Sequence, residues 1–122
     1  MTPIAKYRDR KDALVRALRS GKYKQGKEWL HNGYDEFCCL GVACALLDWM
    51  KPKAPEGHDH YVYAGHARSL PPSVQRYYGF TSPLGGFEGG NLVVLNDQGM
   101  PFPEIADIIG SEPKGLFTWS DT

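Results

Sequence analysis

The stretch "EFCCLGVACALLDWM", residues 36–50, constrains this chain more than any other. From Phe37 to Leu47 it runs 11 residues without a charge. A membrane-spanning helix needs roughly 20 apolar residues, so this run belongs in a protein core. A helix that is apolar nearly all round must be covered on every side. A chain of 122 residues supports one core and one domain (1–122), and such a helix takes its centre. The expected helix starts at Cys38 or Cys39 and reaches Met50, where "KPKAPEG" at 51–57 breaks it with two prolines and a glycine. Gly41, in its first turn, leaves room for another backbone to pass close by.

Residues 9–20 predict a first helix, capped by Asp9 or Asp12, lined by Ala13, Leu14, Ala17 and Leu18, and stopped at Gly21. "LPPSVQRYYGF" at 70–80 predicts a short helix begun by Pro71–Pro72 and ended by Gly79. "FPEIADIIG" at 102–110 predicts another, with Pro103 at its first position and Gly110 at its stop. Strand signals sit at "HYVYAGH" (60–66) and, most strongly, at "NLVVLND" (91–97), which closes in the turn "NDQG". "SPLGGFEGG" at 82–90 reads as a flexible loop, and Leu116, Phe117 and Trp119 of the tail as packed back on the body. The expected class is α+β: a single compact domain with three or four short helices, one of them buried and central, and a small, mainly antiparallel sheet.

Net charge is zero but unevenly spread. Residues 1–30 hold nine Lys/Arg against three acids, and the remaining 92 hold five against eleven. Either the basic N-terminal third faces an anionic ligand, or the two parts neutralise each other within the fold or between subunits. An odd count of three cysteines and a start, "MTPIAKYRDRKD", without an apolar signal region predict free thiols and a cytoplasmic location. Zero net charge and the lack of a recognition motif weigh against nucleic acid as a partner, and the lack of a membrane-length run against a membrane. A homo-oligomer stays open.

Chemistry has three candidate seats. A cysteine at a helix start has its thiolate stabilised by the helix dipole, which makes "CCLG" a candidate nucleophile site. The stretch "ALRSGKYKQG…EFCCLGVACALL" resembles the start of NlpC-type papain-like cysteine hydrolases. That resemblance implies Cys39 as nucleophile, His60 as its base, Asn96 or Asp97 as a third partner, and Gln25 as an oxyanion donor. The alternative is a buried cysteine acting as a small inert hydrophobe. "HDH" at 58–60 invites a metal, yet the paired-knuckle spacing of zinc sites is absent, so no metal is expected.

The third seat is "KYKQGKEW" (22–29), where Lys22, Lys24 and Lys27 interleave with Tyr23 and Trp29 around Gln25–Gly26. Cations and ring faces beside a close-approach glycine suit an anionic, nucleotide-like molecule. Lys24, Gln25 and Lys27 would meet phosphate or ribose oxygens, Trp29 or Phe87 would stack, and Asn91, Asn96 and Asp97 would add polar contacts. The dinucleotide and Walker spacings are absent, and no cofactor is expected. Asn96–Asp97 before Gln98–Gly99 also satisfies an ordinary turn.

Across its length the chain resembles a group of small phage and bacterial proteins sharing "LRSGKYKQG", "FCCLGVACAL", "LPPSVQRYYG" and "LNDQGMPFPEIADIIG". The resemblance implies an intracellular, phage-type accessory protein. Three functions follow: non-catalytic binding of an anionic nucleotide-like molecule, as in sequestering a host defence signal; a cysteine hydrolase or transferase using Cys39; or inhibition of a host protein through exposed Tyr77, Tyr78 and Trp119.

Overall fold

A computed structural model describes residues 2–54, 57 and 59–120. The first helix, α1 (Ile4–Arg19), begins five residues before the sequence expectation because Pro3, with its φ fixed at −68°, takes the N-cap in place of an aspartate. It buries Leu14, Val15, Ala17 and Leu18. Two-residue strands β1 (Lys24–Gln25) and β2 (Glu36–Phe37) then pair in parallel, Lys24 opposite Glu36 and Gln25 opposite Phe37. The apolar run becomes α2 (Cys39–Ala45), in which Cys39, Leu40, Gly41, Val42, Ala43 and Cys44 are all buried, so the predicted central helix is present. It stops at Ala45 rather than Met50. The chain tightens there into turns, Leu47 N–H donating to Cys44 O and Met50 N–H to Leu47 O, which turn Leu47 and Met50 inward and leave Trp49 52% exposed.

Strands β3 (Pro52–Lys53) and β4 (Val62–Tyr63) form an antiparallel pair. Pro55 and Glu56 of the predicted break lie outside the described residues, as does His58. Helix α3 (Pro72–Tyr78) carries proline in its first turn and ends on Gly79 at φ +80°, both as predicted. Strands β5 (Gly86–Phe87) and β6 (Gly90–Asn91) form a small hairpin. "NLVVLND" is not a strand. It folds as α4 (Leu92–Asp97) because the Asn91 side chain accepts a hydrogen bond from Val94 N–H at 2.8 Å, and because the buried positions, Leu92 and Asn96, are four residues apart. Helix α5 (Phe102–Ser111) runs through Gly110, and Glu112 rather than a glycine adopts the left-handed cap, at φ 51°. The class is α+β, with five helices and three separate two-stranded ladders among the described residues, two antiparallel and one parallel, where one small sheet was predicted.

Helix α5 buries Phe102, Ile105, Ala106 and Ile109 and packs along α1. Behind them the tail returns, with Leu116 and Phe117 fully buried. Its rings form a ladder: Tyr7 stacks on Trp119, Trp119 on Phe117 at 4.5 Å, and Phe117 on Phe80 at 4.8 Å. Much of the charge asymmetry is answered within the fold. Arg8 and Lys11 both bind Glu112, Arg19 binds Asp107, and Lys24 binds Glu36. Glu112 also accepts from the Trp119 indole N–H at 2.8 Å, and these three partners hold it in a left-handed backbone that costs a non-glycine residue about 1–2 kcal/mol. The same partners, the Arg8 guanidinium foremost, draw its carboxyl down to about 2.

Candidate functional site

The segment from Gln25 to Glu36 folds into an open cleft of about 460 Å³. Its position rests on two amides, the half-buried Gln25 and the buried Asn96. Gln25 Nε2 donates to Asn96 Oδ1 (2.9 Å) and to Met100 O (2.8 Å), while Gln25 Oε1 accepts from Phe102 N–H (3.0 Å). Asn96, 0% exposed, donates from Nδ2 to Gly26 O at 2.8 Å and accepts from Cys39 N–H at 3.3 Å. Both amides are consumed by the fold, so they fasten the back of the cleft rather than face a ligand. Asp97 accepts from Glu28 N–H at 3.0 Å and so fixes Glu28 at φ 72°, the bend that turns Lys27 to Trp29 outward.

The far wall is a turn organised by Asn32. Its Oδ1 accepts from Tyr34 N–H (2.9 Å) and Glu36 N–H (3.0 Å), and its Nδ2 donates to Glu36 Oε1 (2.8 Å). The turn lifts Tyr34 into solvent, 83% exposed. Asp59 arrives from a distant segment through Gly33, whose N–H donates to Asp59 O at 2.6 Å and whose Cβ, if present, would meet that oxygen at 2.9 Å. Lys27, Trp29, Asn32, Tyr34, Glu36 and Asp59 line the cleft together with Glu28, Gln25 and Gly26. Glu28, Glu36 and Asp59 share the lining with Lys27, and Lys24 reaches Glu36 at 3.3 Å. The Asn32 amide, then Lys24, hold the Glu36 carboxyl below its ordinary range.

Several expected contacts are rearranged. Gln25, Lys27 and Trp29 come together in the cleft, with Lys24 on the adjoining strand. The Trp29 ring is already engaged: the His60 imidazole lies parallel to it at 3.9 Å and the Arg68 guanidinium over it at 4.4 Å. Phe87 and Asn91 are elsewhere, on the hairpin that leans on the tail through Glu88 N–H and Lys114 O. Sequence reasoning missed Asn32, Tyr34, Glu36 and Asp59; the Asn-Gly in "HNGYDE" signals a turn but not what it faces. It also missed His31, buried between the rings of Phe37 and Tyr61 at 4.1 Å each, with Nδ1 at 3.0 Å from the Tyr63 hydroxyl and Nε2 at 2.7 Å from Asp35.

Cys39 does not have a nucleophile's surroundings. Its sulfur is 0% exposed and donates to Leu92 O at 3.7 Å, and burial pushes its thiol well above the usual range. Cys38 is likewise pushed up by burial, to about 11, and Cys44 is buried beside them. His60 stands at the cleft on Trp29, not against the Cys39 sulfur. Among the described residues no three His, Cys, Asp or Glu side chains gather where they could hold a metal, and His58 lies outside those residues. Tyr78 is not exposed as expected: at 1% exposure it is core, its hydroxyl donating to Ala43 O at 2.7 Å. Tyr77 and Trp119 are half-buried, and Tyr77 packs edge-on against the exposed Trp49 at 5.7 Å. No described helix is long and apolar enough to cross a membrane.

No curated protein and no solved structure matches the chain. A family model does match, over residues 7–113, a span that holds the cleft and the two amides behind it. The chain belongs to the family described as a domain of unknown function, DUF8296.

Proposed function

We propose that this protein binds, without catalysis, a small planar nucleotide-like molecule in the cleft between Lys27 and Asp59. The observation that carries the reading is the lining itself: carboxylates and an amide, one cation and two ring systems around a space of about 460 Å³, a size suited to a small ligand. Carboxylates accept from the N–H groups on the edge of a nucleobase, a pairing used wherever proteins read such edges. Lys27 has no carboxylate partner among the described residues and would meet a phosphate. Tyr34 supplies an exposed ring for stacking, while a ligand would reach Trp29 only by replacing His60. Buried thiols support binding over cysteine chemistry. With Glu28, Glu36 and Asp59 present, the base rather than the anionic group is the portion the cleft reads most closely. Sequestration of such a molecule would suit an accessory protein of the phage type.

Calorimetric titration against nucleosides and their mono- and cyclic phosphates tests this. Binding is expected to be strongest for bases with a donor-rich edge, to fall on Glu36→Gln, and to lose its phosphate preference on Lys27→Gln. Absence of binding by every nucleoside and nucleotide at millimolar concentration would sink the proposal.

A further inference from the structure

A second cavity, of about 430 Å³, opens on another face, lined by Tyr7, Gln75, Arg76, Gly79, Phe80, Thr81 and Thr118. It lies where α1, the end of α3 and the returning tail meet. Its chemistry is the reverse of the first cleft's. Among the described residues no Asp or Glu lines it and Arg76 has no carboxylate partner. Its basic neighbours differ: Arg8 and Lys11 are held by Glu112, and Arg10 donates to Tyr77 O at 2.8 Å. Gln75 spends one N–H on Phe80 O at 3.3 Å and keeps a second. The Thr118 hydroxyl makes no hydrogen bond among the described residues, and its backbone N–H donates to Gly79 O at 2.8 Å, which seats it beside Gly79. Thr81, by contrast, has its hydroxyl committed to Gly115 O.

The geometry points to a binding site for a small monocarboxylate with an apolar body. A guanidinium offers a planar fork of N–H donors that fits one carboxylate bidentately, and the Gln75 amide and Thr118 hydroxyl can add donors at its side. Tyr7 and Phe80 bring rings to the lining. Gly79 forms a floor with no Cβ; a Cβ there would meet the Trp119 ring at 2.7 Å and the Tyr7 ring at 3.2 Å. Tyr7 and Trp119 stack with their centroids 5.4 Å apart. One cation among apolar walls suits a single negative charge on a hydrophobic body better than a phosphate dianion, which needs more donors than this cavity holds.

Benzoate is a suitable probe, followed by amide chemical shifts in the full chain, with benzyl alcohol, benzylamine and inorganic phosphate as comparisons. Benzoate is expected to shift the Gly79, Thr81 and Thr118 amides saturably, at least about tenfold more tightly than benzyl alcohol, as a charge-assisted pair requires. Arg76→Gln should weaken benzoate at least about tenfold while leaving the spectrum folded, and Thr118→Val should weaken it a few-fold. Equal binding of benzyl alcohol, a preference for phosphate, or an Arg76→Gln variant that binds benzoate like the parent would each overturn the assignment.

Discussion

Replacing Gly41 by alanine tests the central packing decision of this fold. The segment carrying Leu30 crosses the first turn of α2 directly over Gly41, and an added Cβ would overlap the Leu30 carbonyl oxygen. It would lie 2.5 Å from the carbonyl carbon and 3.1 Å from Leu30 Cα. The obstacle is backbone, so no side chain can swing aside; the crossing segment must retreat by at least about 1 Å, which overpacking rarely achieves for less than about 1–3 kcal/mol. That retreat stretches two hydrogen bonds, Leu30 N–H to Ala67 O (2.8 Å) and Cys38 N–H to Leu30 O (3.3 Å). Each is worth about 1 kcal/mol when its partners stay buried and unmet. It also lifts Leu30, fully buried, part-way out of the core, forfeiting some of the roughly 1.5–3 kcal/mol of a buried leucine. We therefore expect a loss of about 4 kcal/mol, a large share of the about 5–15 kcal/mol that a domain possesses. Urea unfolding followed by tryptophan fluorescence measures it. A loss below about 1 kcal/mol would refute the reasoning, because the crossing would then have had slack.

Gly110 is the opposite case: it lies within α5 with nothing within 4 Å of an added Cβ. Gly110→Ala should raise the unfolding midpoint, by up to about 1 kcal/mol of stability, in the same urea experiment. Glu112 has a depressed carboxyl, near 2 against an ordinary 4.5, so the folded state binds its proton less readily than the unfolded chain. The stability it contributes is complete above about pH 4.5 and lost as pH falls toward 2, and melting curves across that window should flatten in Glu112→Gln. The three cysteines are buried with raised thiols, so a disulfide exchange reagent at neutral pH should leave the folded protein unmodified and label all three in denaturant. Rapid labelling of Cys39 in the native state would restore the hydrolase reading. Tyr78→Phe strands the Ala43 carbonyl and should cost about 1–3 kcal/mol by thermal melting.

The apolar run was enough to place α2 at the core, and a glycine in its first turn was enough to predict a close crossing, since both are properties of a few adjacent residues. Proline and glycine likewise marked the ends of α3. The failure at "NLVVLND" has a physical cause: β-branched composition describes what suits a half-buried surface, whereas Asn91 supplies a cap and Leu92 and Asn96 share one buried side. The cleft was half legible. "KYKQGKEW" pointed to Gln25, Lys27 and Trp29, but Asp59 joins them only through the Gly33 crossing, which no local pattern encodes. Nor could the sequence say that Gln25 and Asn96 would spend their hydrogen bonds on each other.

The two amides behind the cleft also set a timetable for the nascent chain. Gln25 and Gly26 are made early, yet the Asn96 side chain that holds them lies 71 and 70 positions further on, and the Glu28 bend waits for Asp97, 69 positions later. Glu112 closes α1 across a separation of 104 residues. While the ribosome is still adding the middle of the chain, α1 has α2 and α3 to pack on but not yet α5. Arg8 and Arg19 reach their carboxylates, Glu112 and Asp107, only after α5 emerges. Such long loop closures slow folding, so the cleft becomes competent only once the segment carrying Asn96 and Asp97 has been made.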